Sequence, residues 1–362
     1  MRAHAERVDA ALRTARPEAR RVIVLADNAS PDGTAEEFAR AGVEAETVAL
    51  SSGTRGKGHN FRLLFEAALD VGADVLLTFD ADLEVVPPDW VRALGDPVLA
   101  DAGDLVTPLY ARHWYDANLT NQVVAPLVAA ATGVPLRQPI AGEFAFSRAA
   151  LALLVALDWP PRALAFGTDV WCVLRALEHG LRVVQRPLSV GKLHSWRSDT
   201  AGEVHEEMGT KFAAIAGVTL DELVRRGDHS ASDGPPRFPA SPPPGRAPLE
   251  YDTSHLAEAA DAAWGAAAGS EALRAVAPWA GTQAARPEVP VDAWARTLAL
   301  ALRAARTAGG ASDELLEALQ AVFLARIASV LPGLDDDGVE PMVEELTTRL
   351  HAELRAAARA AP

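Results

Sequence analysis

The stretch Leu76-Leu77-Thr78-Phe79-Asp80-Ala81-Asp82 sets two carboxylates, spaced i and i+2, at the end of an apolar run. Such a run bounded by polar residues predicts a buried strand, here from Asp74 to Phe79. Its C-terminal end is where open α/β sheets bind ligands. In an extended segment residues i and i+2 point to the same side, so Asp80 and Asp82 are expected to converge. Two carboxylates held together repel unless a cation lies between them. A hard divalent ion that keeps water and bridges to phosphate oxygens, Mg²⁺ or Mn²⁺, fits best. A lone Asp-X-Asp is more often a solvated strand-end turn; other stretches of this chain change that weighting.

Ser51-Ser52-Gly53-Thr54-Arg55-Gly56-Lys57-Gly58 is a basic, glycine-rich loop before a helix. No Gly-Lys-Ser/Thr closes it, so it is not a Walker A loop. Gly56 and Gly58 permit close backbone approach, Lys57 supplies a compact charge, and the following helix start offers N–H groups to an anion. An ordinary flexible loop is the plain alternative. Arg137-Gln138-Pro139-Ile140-Ala141-Gly142-Glu143-Phe144 is a polar, glycine-bearing stretch inside an apolar region. Phe166-Gly167-Thr168-Asp169 opens a helix, where Thr168 or Asp169 also suits an N-cap. Gly191-Lys192-Leu193-His194 follows the predicted strand 181–188. A lone His is more often structural; His194 stands out because a borderline ligand in that loop suits Mn²⁺.

Taken in order, Gly56-Lys57-Gly58, Phe79-Asp80-Ala81-Asp82, Gln138 to Glu143, Phe166 to Asp169 and Gly191 to His194 resemble GT-A-fold glycosyltransferases of the mannosylglycerate and glucosyl-3-phosphoglycerate synthase type. Each motif is weak singly. The resemblance spans residues 20–215 and implies a Rossmann-like, mostly parallel sheet. It implies that Asp27, Lys57, Asp80, Ala81, Asp82, Gly142 and Glu143 bind the donor, a nucleoside-diphosphate sugar such as GDP-mannose or UDP- or GDP-glucose. It places Asp82, His194 and Asp80 on Mg²⁺ or Mn²⁺, and Asp169 and Glu143 at the reacting centre. Arg112, Thr120 and Asp169 would hold a small carboxylate acceptor such as D-glycerate, with retention at the anomeric carbon. The plain alternatives are that Arg112 pairs with Asp116, that Thr120 faces outward, and that Glu143 is a surface residue. The family carries an N-terminal strand ahead of its first helix. Here Met1 begins in what reads as that helix, so the first strand is expected to be missing.

The elements that must position these residues alternate. The patterns predict helices at 2–16, 34–41, 59–71 and 88–101, and strands at 22–26, 43–50, 74–79 and 105–110. Further helices are expected at 116–132, after 168 and at 200–215. The alternation predicts a parallel sheet with helices on both faces. Residues 229–249 are rich in Pro and Ser and mark a linker between a catalytic domain, 1–228, and a helical domain, 250–362. Helices at 254–267, 291–308, 312–331 and 338–360 complete the second. Their apolar stripe, Leu315, Leu316, Leu319, Val322, Phe323 and Ile327, must be buried against the catalytic domain or a second copy, and a homo-oligomer through these helices is expected.

Composition narrows the rest. The 362 residues carry a net charge of −15, which argues against sequence-independent nucleic-acid binding. One cysteine, Cys172, allows neither an intramolecular disulfide nor a Cys-based metal cluster. No signal-peptide pattern opens the sequence and no apolar run reads as membrane-spanning, so a cytoplasmic protein without a membrane partner is expected. Three other classes compete: an inverting transferase on a lipid or polysaccharide, a nucleotidyltransferase, and a degenerate non-catalytic binding protein. The chain lacks the Gln-X-X-Arg-Trp pattern of processive transferases and the glycine- and arginine-rich start of nucleotidyltransferases.

Overall fold

The structure, a computed structural model, describes residues 1–192, 201–227, 234–242, 254–281 and 285–360. The chain begins α1 (Arg2–Ala15), β1 (Val22–Asp27), α2 (Thr34–Ala39), β2 (Glu46–Ser51), α3 (Lys57–Asp70) and β3 (Val75–Leu77). It continues α4 (Pro88–Leu99), β4 (Leu105–Leu109), a π-turn (Thr120–Val124), α5 (Ala125–Thr132), β5 (Ala145–Ser147) and α6 (Arg148–Ala156). A second π-turn (Ala163–Gly167), α7 (Thr168–Glu178) and β6 (Val183–Pro187) follow. Then come α8 (Ala201–Arg226), α9 (Ser254–Ala267), α10 (Glu271–Val276), α11 (Val291–Ala308), α12 (Asp313–Val330) and α13 (Val339–Ala360).

These elements form two compact units: Met1–Ala111 with Ala141–Trp196, and Arg112–Ile140 with Arg197–Pro362. The division falls elsewhere than at the Pro/Ser-rich stretch. Residues 112–140 and the helix before that stretch belong with the C-terminal helices.

In the first unit the strands make two sheets. β1 and β2 pair in parallel, and the other four run in the order β3-β5-β4-β6. β4 and β6 are parallel, but β5 is antiparallel to both β3 and β4. The expected parallel sheet is therefore corrected to a mixed one. β4 is buried along its whole length, as befits a strand with neighbours on both edges and helices over it. β5 reaches only Leu105 and Val106 of β4, so Pro108 lies beyond it and removes no ladder bond on that side. α1 turns Ala5, Val8, Ala11 and Ala15 inward at helical spacing, onto a core with Trp90, Leu94, Val106 and Tyr110. α4 starts with Pro88 in its first turn and Asp89 beside it, both suited to a helix N-terminus.

The second unit is helical. α12 is its central helix, and the predicted stripe is covered within the unit: Leu316, Leu319, Val322, Phe323 and Ile327 are at most 1% exposed. Asp313–Gly333 is long and apolar enough to cross a membrane, contrary to expectation, yet most of it is buried inside the unit. α5 packs Ala125 and Ala129 against Val339 and Val343 of α13.

Candidate functional site

Six chain segments meet at one edge of the four-stranded sheet. β3 and β4 end there, delivering Thr78, Asp80 and Tyr110. β5 begins there, because it runs the other way, and so delivers Gly142 and Glu143. Lys192 arrives after β6. α3 and α7 start there with Lys57 and Asp169.

The side chains form one network. Lys192 Nζ donates to Asp80 Oδ2 at 2.6 Å and to the Ala141 carbonyl at 2.8 Å, and lies 3.1 Å from Glu143 Oε2. Lys57 Nζ lies 3.2 Å from Asp80 Oδ1 and donates to Asp169 Oδ2 at 3.1 Å. Glu143 is fully buried; it also accepts from the Tyr110 hydroxyl and, at 3.2 Å, from the Asp80 N–H. Asp169 Oδ2 accepts a second bond from the Ala141 N–H at 3.2 Å, while Asp169 Oδ1 is buried with no hydrogen-bond partner.

The backbone is fitted to this. Thr78 Oγ1 donates to the Gly142 carbonyl at 2.7 Å and accepts from the Phe144 N–H at 3.0 Å, pinning the turn that carries Glu143. Gly142 has φ 113, and a Cβ there would meet the Asp80 carboxylate. Gly58 faces the Ala163 carbonyl and Thr168 Oγ1 with no room for a Cβ. The close approach expected of the glycine-rich loop is thus made, at Gly58, to the second π-turn of the chain itself.

Electrostatics sharpen the picture. Burial opposes ionisation of Asp80, but the Lys192 and Lys57 ammoniums hold it well below the usual carboxylate range. Burial also works against the Lys57 charge, and Asp169 and Asp80 outweigh it, keeping the ammonium above its ordinary range. Glu143 goes the other way. Burial, helped by Asp80, pushes it up to about 7 against the pull of the two lysines.

The expected residues are distributed as follows. Lys57, Asp80, Gly142, Glu143 and Asp169 come together. β3 stops at Leu77, and Asp80 to Leu83 form a turn closed by the Leu83 N–H on the Asp80 carbonyl at 3.3 Å. Strand alternation therefore does not align Asp80 with Asp82; Ala81 and Asp82 are exposed in the turn. Asp27 is buried at the end of β1, accepting from the Ser30 N–H at 2.9 Å and the Ser30 hydroxyl at 2.6 Å. No hydrogen bond or ion pair among the described residues joins it to the network. Arg112, half-buried, and Thr120, buried rather than outward-facing, belong to the helical unit. His194 lies outside the described residues. Among those described, no three His, Cys, Asp or Glu residues group as a metal site.

Sequence reasoning missed Lys192, Tyr110 and Thr78. Lys192 had a signal: Asp80, Glu143 and Asp169 at one place require more than one cation, and Lys192 is the Lys of the Gly-Lys-X-His stretch.

No protein-family model matches the chain. No curated protein matches it either. Among solved structures it is similar to glucosyl-3-phosphoglycerate synthase from Mycobacterium tuberculosis in complex with phosphoglyceric acid. Identity is 23%, coverage 64% of this chain and 78% of that one, and the TM-score 0.47. The same enzyme with Mn²⁺, uridine-diphosphate-glucose and glycerol 3-phosphate gives 21% identity, 64% and 78% coverage and a TM-score of 0.44. With Mg²⁺ and uridine-diphosphate the values are 20%, 62%, 84% and 0.42. At identities this low, the activity of this chain is read from its own residues.

Proposed function

We propose that the chain is a metal-dependent glycosyltransferase that moves a hexose from a nucleoside-diphosphate sugar to a small hydroxy acid such as D-glycerate. One observation carries this reading: the charge-interleaved cluster of Lys57, Lys192, Asp80, Glu143 and Asp169 at the sheet edge. As the bond between sugar and diphosphate breaks, negative charge develops on the leaving diphosphate. Lys57 and Lys192 are already held in place by carboxylates, so opposing that charge requires no reorganisation.

A divalent cation belongs to the same reading and would be held from Asp82. Asp80 spends both oxygens on lysines, whereas Asp82 is exposed and has no ion pair among the described residues. Mg²⁺ and Mn²⁺ are commonly held by one or two carboxylates with water and substrate phosphates. Asp82 is the residue that would hold such an ion, with Asp80 beside it in sequence. When bound, the ion supplies Lewis-acid stabilisation of the diphosphate.

In this reading Asp169 lies at the reacting centre: its Oδ1, buried and unpaired, is the atom left to accept a hydrogen bond from a sugar or acceptor hydroxyl. The oxygens of Glu143 are occupied, so it is a positioning residue that fixes Lys192 and the Asp80 amide. Arg112 and Thr120 are assigned to the acceptor by motif order, an Arg guanidinium binding a carboxylate through two parallel hydrogen bonds. GDP-mannose, GDP-glucose or UDP-glucose as donor, and retention, follow from the same motif resemblance.

The test is nucleotide release with Mn²⁺ and a panel of sugar nucleotides, with and without D-glycerate or 3-phosphoglycerate. Release that needs both the metal and the acid is expected, with the product's anomeric configuration read by NMR. Release independent of any hydroxy acid, or none with any donor, contradicts the proposal.

A further inference from the structure

The segment 112–124 carries two backbone features that its residue types do not favour. Ala117 sits at φ 58, in the left-handed region that penalises a residue with a Cβ. Thr120–Val124 is a π-turn, a rare form that recurs at functional sites. Local bonds are present, such as Asn118 Nδ2 to the Tyr115 carbonyl at 2.9 Å. The groups that clamp the segment lie far along the chain. Asp336, in the turn after α12, accepts from the Trp114 N–H at 2.8 Å through Oδ1, and its Oδ2 lies 3.0 Å from His113 Nδ1. Trp294 Nε1 of α11 donates to the Gln122 carbonyl at 2.7 Å, and Arg326 Nε of α12 donates to Gln122 Oε1 at 3.3 Å. Both ends of the segment are thus fixed by the C-terminal helices, and Asp336 grips the two residues that directly follow Arg112.

We infer that Asp336 is a positioning residue for the acceptor: by fixing the Trp114 amide and the His113 ring it sets how Arg112 leaves the chain, so the C-terminal helices set acceptor affinity. The inference rests on the assignment of Arg112 and Thr120 to the acceptor. It goes beyond it in naming the residue that holds Arg112 in position.

The experiment uses the full chain as wild type, Asp336→Ala, Asp336→Asn, Arg112→Ala and the double variant Arg112→Ala/Asp336→Ala. Acceptor KM is measured with D-glycerate varied at saturating donor and Mn²⁺, beside nucleoside-diphosphate binding. Asp336→Ala is expected to raise acceptor KM on the order of tenfold, as loss of a charged hydrogen-bond partner does, with nucleotide affinity unchanged. Asp336→Asn keeps an oxygen for the Trp114 N–H and recovers part of the loss; it carries the test if Asp336→Ala does not fold. The double variant is expected to be no worse than Arg112→Ala, because Asp336 acts through Arg112. Ser312→Ala removes the α12 cap bond to the Leu315 N–H, 3.2 Å long, and should lower the melting temperature without moving acceptor KM. The inference is overturned if Arg112→Ala raises acceptor KM while the Asp336 variants do not, or if Ser312→Ala raises it equally. An unchanged KM in Arg112→Ala is a different pattern; it removes the acceptor assignment and the inference with it.

Discussion

The shifted carboxyls of the cluster make stability depend on pH. Glu143 is raised from 4.5 to about 7, so its contribution is full below pH 4.5 and is lost as pH rises through 7. The size is on the order of 3 kcal/mol, from 1.36 kcal/mol per pH unit. Asp80 is depressed, so its contribution is present above its ordinary value of 3.8 and is lost as pH falls below that. Thermal melts at pH 5 and pH 8 should show the chain less stable at pH 8, and Glu143→Gln should shrink that difference. A pH 5 to 8 difference that survives the substitution would place the titrating group elsewhere. At this scale the sequence was informative about acids and weak about their counterions. Asp80, Glu143 and Asp169 stood in recognisable stretches. Lys192 was in view but had no assigned partner, because an ion pair between residues 80 and 192 leaves no local pattern. Tyr110 read as the end of a strand, and its hydroxyl contact with Glu143 depends on how β4 and β5 align.

That alignment is set by element direction. In an all-parallel sheet, the residue just before β5 would sit at the edge opposite the ends of β3 and β4. Because β5 runs antiparallel, Glu143 arrives beside Asp80 and Tyr110. Helix and strand periodicity gave most elements within a few residues, but β5 has only three, Ala145–Ser147, too few to show a period or a direction. α3 shows the same dependence on packing. It can begin at Lys57 because Gly58 lets the second π-turn approach. Gly58→Ala should displace that contact and lower stability by about 1–3 kcal/mol, the cost of forcing a methyl into a filled site. It should also weaken nucleoside-diphosphate binding, since Lys57 is the adjacent residue. A variant with unchanged melting temperature and binding would mean the π-turn gives way without moving Lys57.

On the scale of the whole chain, the Pro/Ser-rich stretch is a composition boundary and not the boundary of packing. Residues 112–140 are tied to the far C-terminal helices by Arg137 with Glu340 at 2.9 Å and by the contacts of Asp336 and Trp294. Composition could not reveal this, because each contact joins residues about two hundred positions apart. A fragment ending at residue 228 should therefore fail to give a cooperative melt, whereas two independent domains would let it fold. The apolar stripe of α12 is covered inside its own unit, so it does not by itself call for a second copy of the chain. What the chain does rests finally on the lysine–carboxylate cluster, and the most direct measurement is calorimetric titration of UDP and GDP, with and without Mn²⁺, into wild type, Lys57→Ala and Lys192→Met. One of the two nucleotides should bind in a Mn²⁺-dependent way, with affinity reduced tenfold or more, on the order of one charged hydrogen bond, in each variant that folds. Binding that ignores the metal, or that is equally strong without either lysine, would contradict the assignment of this cluster to a nucleoside-diphosphate sugar.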